Sequence, residues 1–164
     1  MSEKYWTKKK DWIQKIKDGS KKDLPKVVEI KDEKGVKRWG GKTLAIPAPV
    51  EVWEIMKKVP KGKLITTNEI RQKIAKKYKA EVGCPLTCGI FSWMAAYAGE
   101  QEREEGKKNV TPYWRTLKSG GILNPKYPCG LLKMKKMLEA EGHKVVKKGK
   151  NYIVLDFEKK LVRI

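Results

Sequence analysis

Apolar positions along the chain switch between helical and alternating spacing several times. Over residues 4–18, Tyr5, Trp6, Trp12, Ile13 and Ile16 recur at helical spacing among lysines. That spacing predicts an amphipathic helix with its aromatics turned inward, stopped at Gly19-Ser20. From residue 26 the pattern becomes strand-like. Val27-Val28-Glu29-Ile30 reads as a strand, Asp32-Glu33-Lys34-Gly35 as a turn, and Lys37 to Ile46 as renewed extended chain. Pro47-Ala48-Pro49 then serves as linker and helix start.

Helical spacing returns at 50–59, where Val52, Ile55, Met56 and Val59 share a face, and breaks at Pro60-Lys61-Gly62. Thr66-Thr67-Asn68 followed by Glu69 is an N-terminal capping signal for a second helix, with Ile70, Ile74 and Ala75 inward, running to about Lys79. Gly83 and Pro85 separate it from a third helix, about 86–105, with Ile90, Phe91, Trp93, Met94, Ala95 and Tyr97. A Gly-rich hairpin at 113–127 and a last helix, holding Leu131, Leu132, Met134, Met137 and Leu138 and ended by Gly142, follow. Two apolar runs around Lys148-Gly149-Lys150-Asn151 close the pattern as a C-terminal β-hairpin. Three helices with short turns and then a hairpin read as a helix-turn-helix with a wing. The expectation is an α+β, winged helix-turn-helix domain at 49–142, with a helical and extended segment at 1–48 and a hairpin tail at 143–164.

Composition narrows the class. The 164 residues suit one main domain, and 40% hydrophobic residues can fill a core. No run reaches the roughly 18 apolar residues of a membrane span, and no signal-peptide pattern opens the sequence. A soluble, cytoplasmic, monomeric protein without membrane attachment is expected. Thirty-nine Lys and Arg against 19 Asp and Glu give a net charge of +20. An excess of that size favours a polyanion, above all nucleic acid, over a surface of balanced charge networks.

One segment carries the chemistry: Thr111-Pro112-Tyr113-Trp114-Arg115, before Thr116-Leu117-Lys118-Ser119-Gly120-Gly121. Pro112 stiffens the entry and Gly-Gly permits a tight reversal. Val52-Trp53, Val59-Pro60-Lys61-Gly62-Lys63 and Thr66 with Glu69-Ile70 precede it, followed by Gly89. Tyr127 with Gly130, and Leu138-Glu139-Ala140-Glu141-Gly142, come after. In this order and spacing, window 50–142 resembles the DNA-binding domain of the DNA-repair alkylguanine methyltransferases and their non-catalytic relatives, the alkyltransferase-like proteins.

The resemblance implies an active-site segment without its chemistry. The family's Pro-Cys-His-Arg reads Pro112-Tyr113-Trp114-Arg115 here. A phenol with an unperturbed pKa near 10 and an indole that only donates cannot replace a thiolate and its activating imidazole. Glu141, matching the family's histidine-orienting glutamate, is left with a helix-end hydrogen bond. The alkyltransferase-like proteins also hold an aromatic at the cysteine position and bind alkylated DNA without transfer. The resemblance therefore implies a non-enzymatic DNA-binding protein that recognises alkylated guanine in duplex DNA for another repair pathway, with a repair protein as partner and no cofactor. It assigns the flipped-base pocket to Tyr113, Trp114, Arg115, Ser119 and Tyr127, with Tyr113 at its floor. It assigns DNA contacts to Thr66, Thr67, Leu86, Thr87, Lys118 and Lys126. Leu86 stands where the family has an arginine finger, and Thr67 where it has a phosphate-rotating tyrosine. A leucine can wedge into a base stack but supplies no charge.

Among Cys84, Cys88, Cys129 and His143, the Cys84-x₃-Cys88 pair lies within zinc-ligand spacing, but Cys129 and His143 have no paired spacing and His143 ends a helix, so no metal is expected. Cys84, before Pro85 at a helix start, leaves a thiol enzyme as a rival reading. A second rival is a general DNA- or RNA-binding module without lesion specificity, in which Tyr113 and Trp114 stack on single-stranded bases or fill the core.

Overall fold

The computed structural model describes residues 10–20 and 23–163. Helix α1 is Trp12–Gly19, begun by the Asp11 carboxylate accepting from the Gln14 N–H at 3.0 Å and docked through buried Ile13 and Ile16. Tyr5 and Trp6, expected on the same helix, lie outside the described residues.

Strand β1 (Lys26–Glu29) pairs antiparallel with β2 (Thr43–Ile46), which pairs parallel with β4 (Val82–Gly83). Strands β1 and β2 therefore share a sheet with the entry to the longest helix. Between β1 and β2 the chain departs from the expected turn and extended run, forming helix α2, Glu33–Trp39. The Asp32 carboxylate caps it by accepting from the Gly35 N–H, and Gly40 ends it at φ 89°. Local capping outweighs the β-preference of Val36 and Trp39, so only Thr43–Ile46 remains strand.

Helix α3 (Pro49–Lys57) buries Val52, Trp53 and Met56. Helix α4 (Thr67–Lys77) starts at the expected capping box: the Thr66 N–H and hydroxyl donate to the two Glu69 carboxylate oxygens at 3.2 and 2.7 Å. Helix α5 (Pro85–Glu104) packs against α1, α3 and α4. After it come a 3₁₀ turn at Tyr113–Arg115, strand β5 (Thr116–Leu117) and helix α6 (Leu131–Ala140). Strands β6 (Val145–Lys148) and β7 (Asn151–Val154) pair antiparallel, with Val145 opposite Val154, before a last 3₁₀ turn at Phe157–Lys160.

The expected hairpin at 113–127 is replaced by a different pairing. β5 lies parallel to β3 (Ile65–Thr66), and only the tight reversal Lys118↔Ile122 survives from the hairpin. Ile122 then bridges to Ile153, so the reversal rests on β7. Buried Thr116 and Leu117 explain the choice, since β3 covers them where a self-contained hairpin would leave them wet. The result is a mixed α+β fold around a main core containing Ile16, Met56, Ile70, Leu117, Met134 and Leu138, with a smaller cluster of Leu44, Val82 and Cys84. Among the described residues, no helix is long and apolar enough to cross a membrane.

Candidate functional site

Thr111 fixes the segment that carries Tyr113. Its N–H and hydroxyl donate to the buried Glu102 carboxylate at 3.0 and 2.6 Å, while its hydroxyl accepts from the Trp53 indole at 2.8 Å. Those bonds tie the 110s to α3 and α5 together. Gly99 allows the approach, because a Cβ there would meet the Thr111 carbonyl at 2.8 Å and the Tyr113 ring at 3.0 Å. Glu102 is a site residue that the sequence reading does not single out. Its signal was its helical spacing from buried Ala95, Ala98 and Gly99.

Tyr113 is 1% exposed, so neither face of its ring is open to a base in this structure. Its phenol donates to Glu100 at 2.9 Å, and Cys129 Sγ lies 3.1 Å from the same oxygen. Trp114 and Tyr127 meet its ring edge-on at centroid distances of 5.5 and 6.2 Å. Burial, reinforced by Cys129 and Glu100, pushes the Tyr113 phenol well above its ordinary value. Tyr127 is pushed up to about 12 by burial. Both phenols hold their protons at neutral pH.

Arg115 is engaged by protein partners on all three guanidinium nitrogens. Its Nε and Nη2 grip Glu141 at 2.9 and 2.6 Å, its Nη1 donates to the Val59 carbonyl at 2.8 Å, and its guanidinium lies 5.4 Å from the Trp114 ring. Glu141 thus has a partner, contrary to the helix-end role expected of it. The Trp114 indole N–H approaches the same carboxylate without reaching hydrogen-bond geometry. Of the five expected pocket residues, Tyr113, Trp114 and Tyr127 cluster, Arg115 lies against the Trp114 ring, and Ser119 stands exposed on the reversal.

The expected DNA contacts divide by exposure. Thr66 is buried and spends its hydroxyl on Glu69. Thr67 and Thr87 are half-buried, and the Thr87 hydroxyl has no partner. Leu86 is 60% exposed on the first turn of α5, with Ile90 at 45% one turn on. Lys118 and Lys126 are exposed, and the Trp93 indole donates to the Lys126 carbonyl at 3.1 Å, holding that loop beside α5. Around the middle of α5, Trp12 packs on Trp93 and Tyr97, each at 5.1 Å between centroids.

The thiols are poorly placed for chemistry. Cys84 and Cys88 are buried, and burial with Cys84 alongside pushes the Cys88 thiol up to about 12. Cys129 is half-buried at φ 72°. Among the described residues, no group of three His, Cys, Asp or Glu side chains is placed to hold a metal ion.

The sequence matches no protein-family model and no curated relative. Two solved structures are similar in fold: S. pombe Atl1 in complex with damaged DNA containing O6-carboxymethylguanine, and S. pombe ATL in complex with DNA. They are 19% and 20% identical to this chain, each with a TM-score of 0.45, covering 71% of it and 94% of their own length.

Proposed function

We propose that the chain is a non-enzymatic DNA-binding protein of the alkyltransferase-like type. The observation that carries this reading is the state of its cations. Four ion pairs join described residues: Lys77–Glu51, Arg103–Glu100, Lys107–Glu105 and Arg115–Glu141. The described residues hold 34 Lys and Arg against 18 Asp and Glu, and that pairing is far too sparse for a balanced network surface. Unpaired lysines repel one another until phosphates approach, and they release counterions from DNA when these meet.

In this reading α4 and α5 act as the helix-turn-helix and the 118–122 reversal with β6–β7 as its wing. Thr67, Leu86 and Thr87 would meet the duplex from the helix starts, and Lys118, Ser119 and Lys126 would take phosphates from the flanking loops. Exposed Leu86 and Ile90 supply an apolar edge for a deformed base step. Position 113 carries no nucleophile, and buried Cys84 and Cys88 do not replace it.

Alkylated guanine is the lesion class that the Pro112-to-Arg115 segment suggests, signalled onward to a repair partner. A flipped base stacking on Tyr113 would first have to displace that segment from Glu100 and Gly99. The burial of Tyr113 therefore favours a second reading, a general duplex binder. Competition separates the two. Labelled undamaged duplex bound to the full chain is challenged with unlabelled duplexes that do and do not contain alkylguanine. Stronger competition by the lesion duplex supports damage recognition, equal competition supports the general binder, and failure to bind either duplex refutes both.

A further inference from the structure

We propose that the β6–β7 hairpin is a second contact surface for duplex DNA, tracking the phosphate backbone apart from the start of α5. The proposal rests on the DNA-binding reading above and deepens it.

Between Lys144 and Leu155 the chain carries Lys144, Lys147, Lys148 and Lys150 and no Asp or Glu. All four are exposed, and none belongs to an ion pair among the described residues. Lys147 lies opposite Tyr152, its Nζ 6.0 Å from the ring centroid. Tyr152 is also half-buried, so it is a poor stacking platform for single-stranded bases. A comb of point charges without an available aromatic face suits phosphates rather than bases.

The hairpin is held firmly at its base. Val145 and Val154 are buried, the Leu123 N–H donates to the Tyr152 carbonyl, and the Val154 N–H donates to the Gly121 carbonyl, both at 2.9 Å. Only the tip, Lys148-Gly149-Lys150-Asn151, projects free of these anchors. A surface ordered before binding loses less entropy when a ligand arrives. The bridges Ile153↔Ile122 and Ile122↔Lys118 join the hairpin to the reversal that presents Lys118 and Ser119. The cationic tip and Lys118 therefore belong to one rigid ribbon, suited to following a phosphate strand.

The test compares two triple variants of the full chain by fluorescence anisotropy on undamaged duplex across a salt series. Neutralising Lys147, Lys148 and Lys150 to Gln removes the tip charges. Neutralising Lys31, Lys34 and Lys37 to Gln removes three charges on and beside α2, which the reading above keeps off the duplex. Each lost phosphate contact lowers the log–log salt slope by about 0.9, so the hairpin variant should lose about 2 to 3 and bind tenfold or more weakly at low salt. The α2 variant should keep its slope within about 1 of wild type. All six lysines are exposed, so thermal melts should match and a fold defect would be visible. Equal slope losses in both variants, or an unchanged hairpin variant, would overturn the proposal while leaving DNA binding intact. A wild-type chain that binds no duplex would remove the underlying reading as well.

Discussion

Arg115 and Glu141 face each other as a fork, Nη2 to Oε2 at 2.6 Å and Nε to Oε1 at 2.9 Å, with side chains only 14% and 9% exposed. A guanidinium holds its protons at any working pH, so this carboxylate has no base to orient. The pair instead ties the 3₁₀ turn to the end of α6 and, through the Val59 carbonyl, to the end of α3. Removing one partner strands the other in a low-dielectric site. Arg115→Ala or Glu141→Gln should lower stability by roughly 3–5 kcal/mol. Arg115→Lys should recover little, because an ammonium cannot make the two-pronged contact. Denaturant unfolding reads all three, and a loss below about 1 kcal/mol would mean the pair behaves as a surface contact.

Acid should weaken the fold in two steps. His143 is buried with Nε2 unpartnered; burial, helped by Lys160 and Arg115, pushes its imidazole below the ordinary 6.5 against the pull of Glu141. The unfolded chain therefore takes up that proton first, and stability falls as pH drops below about 6.5 until the folded value is reached. Burial also opposes the Glu141 charge, but its bonds from Arg115 prevail and hold the carboxyl below 4.5. Its contribution is complete above about 4.5 and is lost as pH falls through the lower folded value. Melting temperatures from about pH 8 to about pH 2 should decline accordingly. His143→Gln should flatten the first decline and spare the second, and an unchanged profile would contradict the assignment.

Tyr113 is buried, so it should behave as a core aromatic. Tyr113→Ala should cost roughly 3–5 kcal/mol of stability. Tyr113→Phe, which removes the donor to the Glu100 carboxylate, should cost roughly 1.5–3 kcal/mol. The Phe variant should leave the ratio of affinities for alkylguanine and undamaged duplex unchanged. A tenfold selective loss on alkylguanine duplex would show that the segment opens to admit a base.

Some of this was legible in the residues. Helices α3, α4, α5 and α6 follow from apolar spacing, and the Thr66–Glu69 box sets the start of α4 where the sequence places it. Helix α2 was hidden because Asp32 and Gly40 are caps that also serve as turn residues, and a seven-residue helix gives almost no periodic signal. The parallel pairing of β3 with β5 joins two dipeptides some 50 residues apart, too short for any pattern. The site was hidden for another reason. That Glu102 meets Thr111 is decided by how the loop after α5 folds back on it, and that Glu141 meets Arg115 by where the 3₁₀ turn meets the end of α6, which local spacing does not encode.

The absence of an acceptor thiol should show in the protein's mass. Incubation with alkylguanine duplex should leave the intact mass unchanged, since position 113 is a protonated phenol and Cys88 is pushed up to about 12. A stoichiometric alkyl adduct on Cys84, Cys88 or Cys129 would make the protein an alkyl acceptor.

The central claim is that the uncompensated positive charge exists to hold DNA. The most direct measurement is the affinity of the full chain for undamaged duplex between about 50 and 200 mM salt. With Z phosphates neutralised, log affinity should fall linearly against log salt with a slope of about −0.9Z. The unpaired lysines at the 118 reversal, the 126 loop and the β6–β7 tip predict a Z of several. Affinity that stays flat across that range, or no binding at the low end, would mean that the lysines are solvated surface and the chain is not a DNA-binding protein.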